Sequence, residues 1–158
     1  RRQRQMCIRD RAWGLYGYTL MYRFTKERKY LEQAIKIAEF TLNHPNMPKD
    51  LIPYWDYDAP AGEKTPRDAS AAAVTASAFL ELSTFVPDGK KYSDYAETIL
   101  KNLSGAKYLA AKGSNQGYVL MHSTGSLPHG SEIDVPLNYA DYYYMEALKR
   151  YIDLKNKG

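Results

Sequence analysis

One stretch of the chain consists mainly of side chains that are too small to fill a core on their own. Residues 69–78 read ASAAAVTASA, in which six of the ten positions are alanine. Alanine has the highest helix propensity and adds little bulk, so this stretch predicts a helix that neighbouring helices can approach closely. The pattern continues to residue 85 with a single charge, Glu81. We therefore expect residues 69–85 to form a buried inner helix.

Charge-poor and amphipathic segments alternate along the rest of the chain. Residues 13–24 carry no charge before Arg23 and predict a fully buried helix, and a last buried helix is expected from near Pro136 to about residue 154. Residues 29–43 and 92–103 have one apolar and one charged face, which is typical of surface helices. The only strand candidate is residues 118–121, in a short hairpin.

This alternation is an internal repeat of inner and outer helices, with long loops between the pairs. Tetratricopeptide arrays repeat at about 34 residues and have short turns, so they fit the spacing poorly. A toroid of inner and outer helices fits it better, because inner helices crowded around a narrow axis need small side chains.

The net charge of +4 arises in one short segment. Residues 1–11, RRQRQMCIRDR, hold five arginines against one aspartate, and the rest of the chain is balanced. No basic stripe remains to neutralise phosphates, so nucleic acid is not expected as a partner. The segment lacks helical or strand periodicity. We interpret it as a disordered, non-native leader before a folded domain at residues 12–158, with a disordered native arm as the alternative.

Disulfides, thiolate metal sites and membrane spans are not expected in the domain. Cys7 is the only cysteine and lies in the leader. The longest uncharged run, residues 113–131, is rich in glycine, serine and histidine rather than in aliphatic residues, so it does not predict a membrane span. His122 and His129 lack a third ligand at suitable spacing, and no metal site is expected.

Four separated stretches are similar to one enzyme family. They are WGLYGYTLMYRFT, IPYWDYDAP, PRDASAAAV and GSEIDVPLNYADYYYMEALKRY. In order and spacing they resemble the C-terminal part of unsaturated glucuronyl hydrolases, glycoside hydrolase family 88. Family 105, the unsaturated rhamnogalacturonyl hydrolases, is a near relative with the same fold and chemistry.

The resemblance implies an all-α fold, a partial (α/α)6 barrel of which this chain supplies about five helices. The implied partners are the missing N-terminal half of the barrel and an unsaturated uronic-acid oligosaccharide. The implied reaction hydrates the 4,5 double bond of the sugar. An aspartic acid protonates the vinyl ether, water adds, and the hemiketal collapses to release the adjoining sugar. No metal or organic cofactor is implied, and a periplasmic location is expected, with the cytoplasm as the alternative.

The resemblance also implies where substrate binds. Trp13 matches the tryptophan of the family's R-G-Q-A-W motif, which contacts the unsaturated sugar. Arg9 matches the arginine of that motif but lies in the predicted leader, so we interpret this match as coincidence. Ser123 and Ser126 match a serine pair that bonds the sugar or its sulfate. The catalytic aspartates of the family lie upstream, so no catalytic residue is expected here.

The residues themselves leave alternatives open. Trp13 also suits a core ring, and the two serines also suit a turn beside Gly125. Asp56, Asp58 and Asp68 could form an acid–base cluster, although Asp68 is better placed as the N-cap of the alanine-rich helix. Four residues are expected to line or brace the cleft: Trp55, Tyr57, Arg67 and His122. The competing function is a non-catalytic binding module of helical hairpins.

Overall fold

The computed structural model describes residues 8–156 and contains five α-helices. They are α1 (Ile8–Thr25), α2 (Arg28–Leu42), α3 (Ala69–Leu82), α4 (Lys90–Leu103) and α5 (Asn138–Lys155). Two loops, residues 43–68 and 104–137, precede α3 and α5. The prediction of an all-helical domain with about five helices is confirmed.

The alanine-rich helix α3 lies at the centre of the fold. It packs against α1, α4 and α5, and every residue from Ala69 to Leu80 is buried. Its small side chains allow neighbours to approach on all sides, so burial does not depend on one apolar stripe. Ala71, Ala72 and Ala73 are at most 1% exposed, whereas the side chain of Lys101 on α4 is 72% exposed. The predicted inner position of α3 is confirmed.

Helices α2 and α4 form the outer layer, as their amphipathic patterns predict. α2 packs on α1 through Ala34, Ile37 and Ala38. α4 packs on α3 through a stripe of buried side chains, namely Tyr92, Ala96, Ile99, Leu100 and Leu103. The order along the chain is therefore inner, outer, inner, outer, inner.

The other two inner helices are buried less completely than expected. α1 buries Ile8, Ala12, Leu15 and Thr19, which lie on one face, and exposes Tyr18, Met21 and Phe24. α5 likewise exposes Tyr142, Met145 and Ile152. The expectation of full burial for residues 13–24 is wrong in this chain, because α3 covers one face of α1 and α2 a second face, and the third face is left open.

The expected disorder of the leader is wrong at residues 8–11. α1 begins at Ile8, four residues before the predicted boundary, and Ile8 is 4% exposed in a cluster with Tyr57, Ala71 and Val74. The helical spacing of Ile8, Ala12 and Leu15 gives one buried face that continues across the boundary. Residues 1–7 lie outside the described part of the chain, and the non-native origin of the leader stays a hypothesis.

The loops contain isolated β-bridges but no strand among residues 8–156. The candidate strand 118–121 contributes a single bridge, between Leu120 and Leu109, and Ser123 pairs in the same manner with Val135. The prediction of a strand is therefore wrong, since pairing stops after one bridge. Within the described residues, none of the helices has the length and apolar character that crossing a membrane requires.

The packing of α3 gives a first prediction. Ala73→Leu adds bulk where no space exists, and we expect it to lower the free energy of unfolding by ~1–3 kcal/mol. Ala73 is completely buried. Ala111→Leu, at an exposed position, is the matched control and should leave stability nearly unchanged. Urea unfolding followed by circular dichroism measures both, and equal midpoints would contradict the central position of α3.

Candidate functional site

An aromatic cluster occupies the surface where α1 and α5 meet above α3. Trp13 and Tyr16 come from α1, and Tyr139 and Tyr143 come from α5. The Trp13 ring lies 4.9 Å from Tyr143, edge to face, and 6.1 Å from Tyr139. Tyr16 lies 5.1 Å from Tyr143, again edge to face. These are favourable aromatic geometries, and the partly exposed Trp13 ring is held by its neighbours rather than free in solvent.

Arg9 lies beside this cluster. Its Nη1 donates to the Tyr139 hydroxyl at 2.8 Å, and Arg9 is partly buried. Arg9 and Trp13 are one helical turn apart on α1, so both side chains reach the same part of the surface. The Arg9 guanidinium therefore lies beside the aromatic cluster that contains Trp13, and whether its match to the family motif is a coincidence stays open as a prediction.

Asp68 caps α3, as its position predicts. Its Oδ1 accepts hydrogen bonds from the Ser70 amide at 3.0 Å, the Ala71 amide at 3.2 Å and the Ser70 hydroxyl at 2.5 Å. The carboxyl group is completely buried and its Oδ2 has no hydrogen-bond partner. Burial raises the pKa of Asp68 above its ordinary value, although Ser70 and the charge of Arg9 work in the opposite direction.

The two other candidate carboxylates, Asp56 and Asp58, differ in burial and in their contacts. Asp56 is buried, and its Oδ1 accepts from the Asp58 amide at 2.9 Å, which closes a local turn. Asp58 is exposed. Neither side chain shares a hydrogen bond with Asp68 in the described structure. Asp56 therefore braces its own loop, and none of the described hydrogen bonds joins the three carboxylates.

The loop that contains Ser123 and Ser126 is hydrogen-bonded to the N-terminal end of α3. The His122 carbonyl accepts from the Ala69 amide at 3.0 Å, and the Thr124 hydroxyl donates to the Arg67 carbonyl at 2.9 Å. Ser123 is completely buried, with no partner for its hydroxyl. Ser126 is accessible, and its Oγ lies 2.6 Å from His129 Nδ1. Of the predicted serine pair, only Ser126 presents its hydroxyl to solvent in this structure.

A separate polar groove of about 610 Å³ brings together Arg67 and His122, two of the predicted cleft residues. His122 Nδ1 lies 2.6 Å from Asp134 Oδ1, and both residues have left-handed backbones, with φ of 64° and 55°. Arg67 bonds Asp50 at 2.9 Å. Burial would raise the pKa of Asp50, but the Tyr108 hydroxyl and Arg67 outweigh it and hold that pKa below its ordinary value.

Trp55 and Tyr57 lie outside this groove as the structure describes it. Trp55 is partly buried. Tyr57 belongs to the core, where its ring packs on Phe40 at 5.0 Å and its hydroxyl lies 3.3 Å from that of Thr41. Tyr57 therefore anchors the loop before α3 to helix α2, and its side chain is buried rather than exposed to an open cleft.

The sequence prediction missed the contribution of α5. Tyr139, Tyr143, Glu146 and Arg150 are spaced by four, three and four residues, which places them on one helix face. Arg9, Trp13 and Tyr16 on α1 have the same spacing. This shared periodicity was the available signal, but the neighbouring Tyr142 and Tyr144 hide it within a run of three tyrosines.

No family model matches the chain. An unsaturated glucuronyl hydrolase of Formosa agariphila is 47% identical over 142 residues, which cover 90% of this chain and 35% of that protein. The crystal structure of an unsaturated glucuronyl hydrolase specific for heparin superposes with a TM-score of 0.92 and 59% identity. This match covers 94% of the present chain and 40% of the other.

The predicted resemblance to unsaturated glucuronyl hydrolases is confirmed. The Streptococcus agalactiae unsaturated glucuronyl hydrolase, in a variant complexed with dGlcA-GalNAc6S, superposes with a TM-score of 0.83 and 31% identity, covering 92% of this chain and 39% of that one. The present chain thus spans between a third and two fifths of the unsaturated glucuronyl hydrolases it matches, and its helices form part of an (α/α) barrel.

The buried Asp68 gives a second prediction. Because its folded-state pKa is raised, the folded chain holds this proton more tightly than the unfolded chain. Its contribution to stability is present below the unfolded-state pKa and is lost as the pH rises through the folded-state pKa. Asp68→Asn keeps a capping oxygen and stays neutral, so it should gain stability relative to the parent as the pH rises across that window.

Urea unfolding at a series of pH values measures this difference. Asp58→Asn, at an exposed aspartate, is the control and should run parallel to the parent. A difference between Asp68→Asn and the parent that stays constant with pH would contradict a raised pKa of Asp68 in the folded chain.

Proposed function

We propose that this chain forms the aromatic wall of the sugar cleft in an unsaturated glucuronyl hydrolase. The enzyme would remove the unsaturated uronic acid from disaccharides that lyases release from glycosaminoglycans. The observation that carries the proposal is the arrangement of Arg9 and Trp13, one turn apart on α1, with the Arg9 guanidinium bonded to Tyr139 beside the indole.

This pair suits the two parts of an unsaturated uronic acid. An indole face suits packing against a sugar ring, and Trp13 is partly exposed. A guanidinium can donate two parallel, charge-assisted hydrogen bonds to a carboxylate. Arg9 already donates to one hydroxyl at 2.8 Å, which fixes its direction before a ligand arrives. Ser126, accessible at the mouth of α3, would bond the adjoining sugar or its sulfate.

The proton donor is proposed to lie outside this chain. A general acid must reach the substrate within hydrogen-bond distance. Asp68 and Asp56 are 0% and 4% exposed and are occupied with capping and turn formation. The raised pKa of Asp68 is a property of an acid catalyst, but no substrate atom could approach its carboxyl group in this structure. The remaining part of the barrel would supply the acid and the opposite wall.

Assignment to family 88 rather than to family 105 is part of this proposal. The named relatives support family 88, since both solved structures described above are of unsaturated glucuronyl hydrolases. A binding module of helical hairpins would require a repeated, solvent-facing concave surface. No arrangement of the described helices favours it over the enzyme.

A third prediction concerns activity. The 158-residue chain alone should leave unsaturated chondroitin and heparin disaccharides intact, because it lacks the proton donor and half of the positioning surface. Loss of the ultraviolet absorbance of the substrate double bond measures turnover. Joining the chain to the upstream part of a relative should produce activity, and Trp13→Ala in that enzyme should raise KM more than it lowers kcat.

Two outcomes would contradict this assignment. Turnover by the chain alone would mean that Asp56, Asp58 or Asp68 acts as the acid. An unchanged KM in the Trp13→Ala enzyme would remove Trp13 from the sugar site. Phe24→Ala is the control, since Phe24 is an exposed aromatic residue near the other end of the same helix.

A further inference from the structure

A polar network lies on the same surface as the aromatic cluster and joins the three inner helices. Glu146 on α5 is its centre. Its Oε1 accepts from the Ser77 hydroxyl of α3 at 2.5 Å, and its Oε2 accepts from the Tyr16 hydroxyl of α1 at 3.3 Å. Burial, followed by the nearby Glu146 carboxylate, raises the pKa of Tyr16 to about 12. Tyr16 therefore stays a neutral donor to Glu146.

Arg150 fixes the carboxylate in turn. Its Nη2 lies 3.4 Å from Glu146 Oε1, its Nη1 lies 3.0 Å from Glu81 Oε2, and it donates to the Ser77 carbonyl at 2.8 Å. The guanidinium also lies 5.4 Å from the centre of the Tyr16 ring. Tyr16 is thus bound through its hydroxyl by Glu146 and along its face by Arg150, so few rotamers remain open to it.

The position of Tyr16 determines the space left for Trp13. Tyr16 packs edge to face on Tyr143, which packs edge to face on Trp13, and Tyr16 also meets Trp13 directly at 6.4 Å. No hydrogen bond of the Trp13 side chain is described. One part of Trp13 packs against the buried cluster that contains Ile8 and Ala71, and the rings of Tyr16, Tyr139 and Tyr143 complete its surroundings. A change at Tyr16 is transmitted to the indole both directly and through Tyr143.

We propose that Glu146 is a positioning residue for Trp13. By accepting from Tyr16 and Ser77, it holds the Tyr16 ring against Tyr143 and so holds the indole face at the angle a sugar ring meets. The positioning is a property of the free protein. Its benefit to catalysis rests on the proposed function, in which Trp13 packs against the unsaturated sugar.

The test uses this chain with Trp55→Phe, which leaves Trp13 as the sole tryptophan. Glu146→Ala should shift Trp13 emission to longer wavelength and raise its quenching by acrylamide, because the indole is released from its neighbours. Tyr16→Phe should produce the same change. The double variant should add nothing further, since both substitutions break one path. Glu146→Gln keeps an acceptor oxygen and should restore most of the parental signal.

Glu81→Gln is the matched control. It removes the other carboxylate bound to Arg150 but has no described hydrogen bond to Tyr16. It should lower the melting temperature without changing Trp13 emission. Circular dichroism shows which variants fold, and Tyr16→Phe, which retains the ring, provides the readout if Glu146→Ala does not.

Parental quenching in folded Glu146→Ala or Tyr16→Phe overturns the proposal, and so does an equal change in Glu81→Gln. Addition of an unsaturated disaccharide separates this result from the proposed function. If the sugar does not change Trp13 emission in the joined enzyme, the proposed contact between Trp13 and the sugar is contradicted. The sugar-free quenching series still decides whether Glu146 positions the indole.

Discussion

The close approach of α1 and α5 to α3 determines what the rest of the structure can do. Helix packing distance depends on the side chains at the contact, and α3 offers alanine and serine over most of its length. The large rings at the surface therefore come from the flanking helices, and Trp13 and Tyr143 meet at 4.9 Å above α3. A bulkier α3 would push these helices apart and separate the rings. The smallest side chains in the chain are thus the reason that the largest ones touch.

The N-terminal end of α3 is where the two long loops are joined to this helix layer. The Asp68 amide donates to the Pro53 carbonyl, and the Ala69 amide donates to the His122 carbonyl, so one helix terminus holds a segment of each loop. The capping carboxylate of Asp68 satisfies the next two amides. The aromatic and acidic part of the loop before α3, residues 53–68, therefore stabilises the buried N-terminal end of the helix. The accessible groups of the candidate site, Trp13 and Ser126, come from α1 and from the second loop.

The sequence predicted the features that depend on local pattern. Helix order, the inner position of α3 and the Asp68 cap follow from periodicity and from the chemistry of a helix terminus, and all three are confirmed. The cleft predictions were weaker because side-chain exposure depends on tertiary contacts. Tyr57 belongs to the core and Ser123 is buried, although both residue types suit a sugar site. Residues 8–11 show the same limit, because an arginine-rich composition concealed the single face that Ile8 shares with Ala12.

The two glycines of α1, Gly14 and Gly17, differ in whether a neighbouring residue lies close to them. A Cβ at Gly14 would meet Ile37 Cδ1 at 3.4 Å, so α2 can approach α1 closely there. A Cβ at Gly17 would meet nothing within 4 Å, yet glycine costs a helix about 1 kcal/mol relative to alanine. Gly17 lies one turn before the exposed Met21, and α5 carries its own exposed Met145. In a closed barrel each inner helix packs along two inner neighbours. In the described structure, α1 and α5 each pack along one inner helix, α3. Gly17 therefore lies, with Met21, on the side of α1 that no other described helix covers.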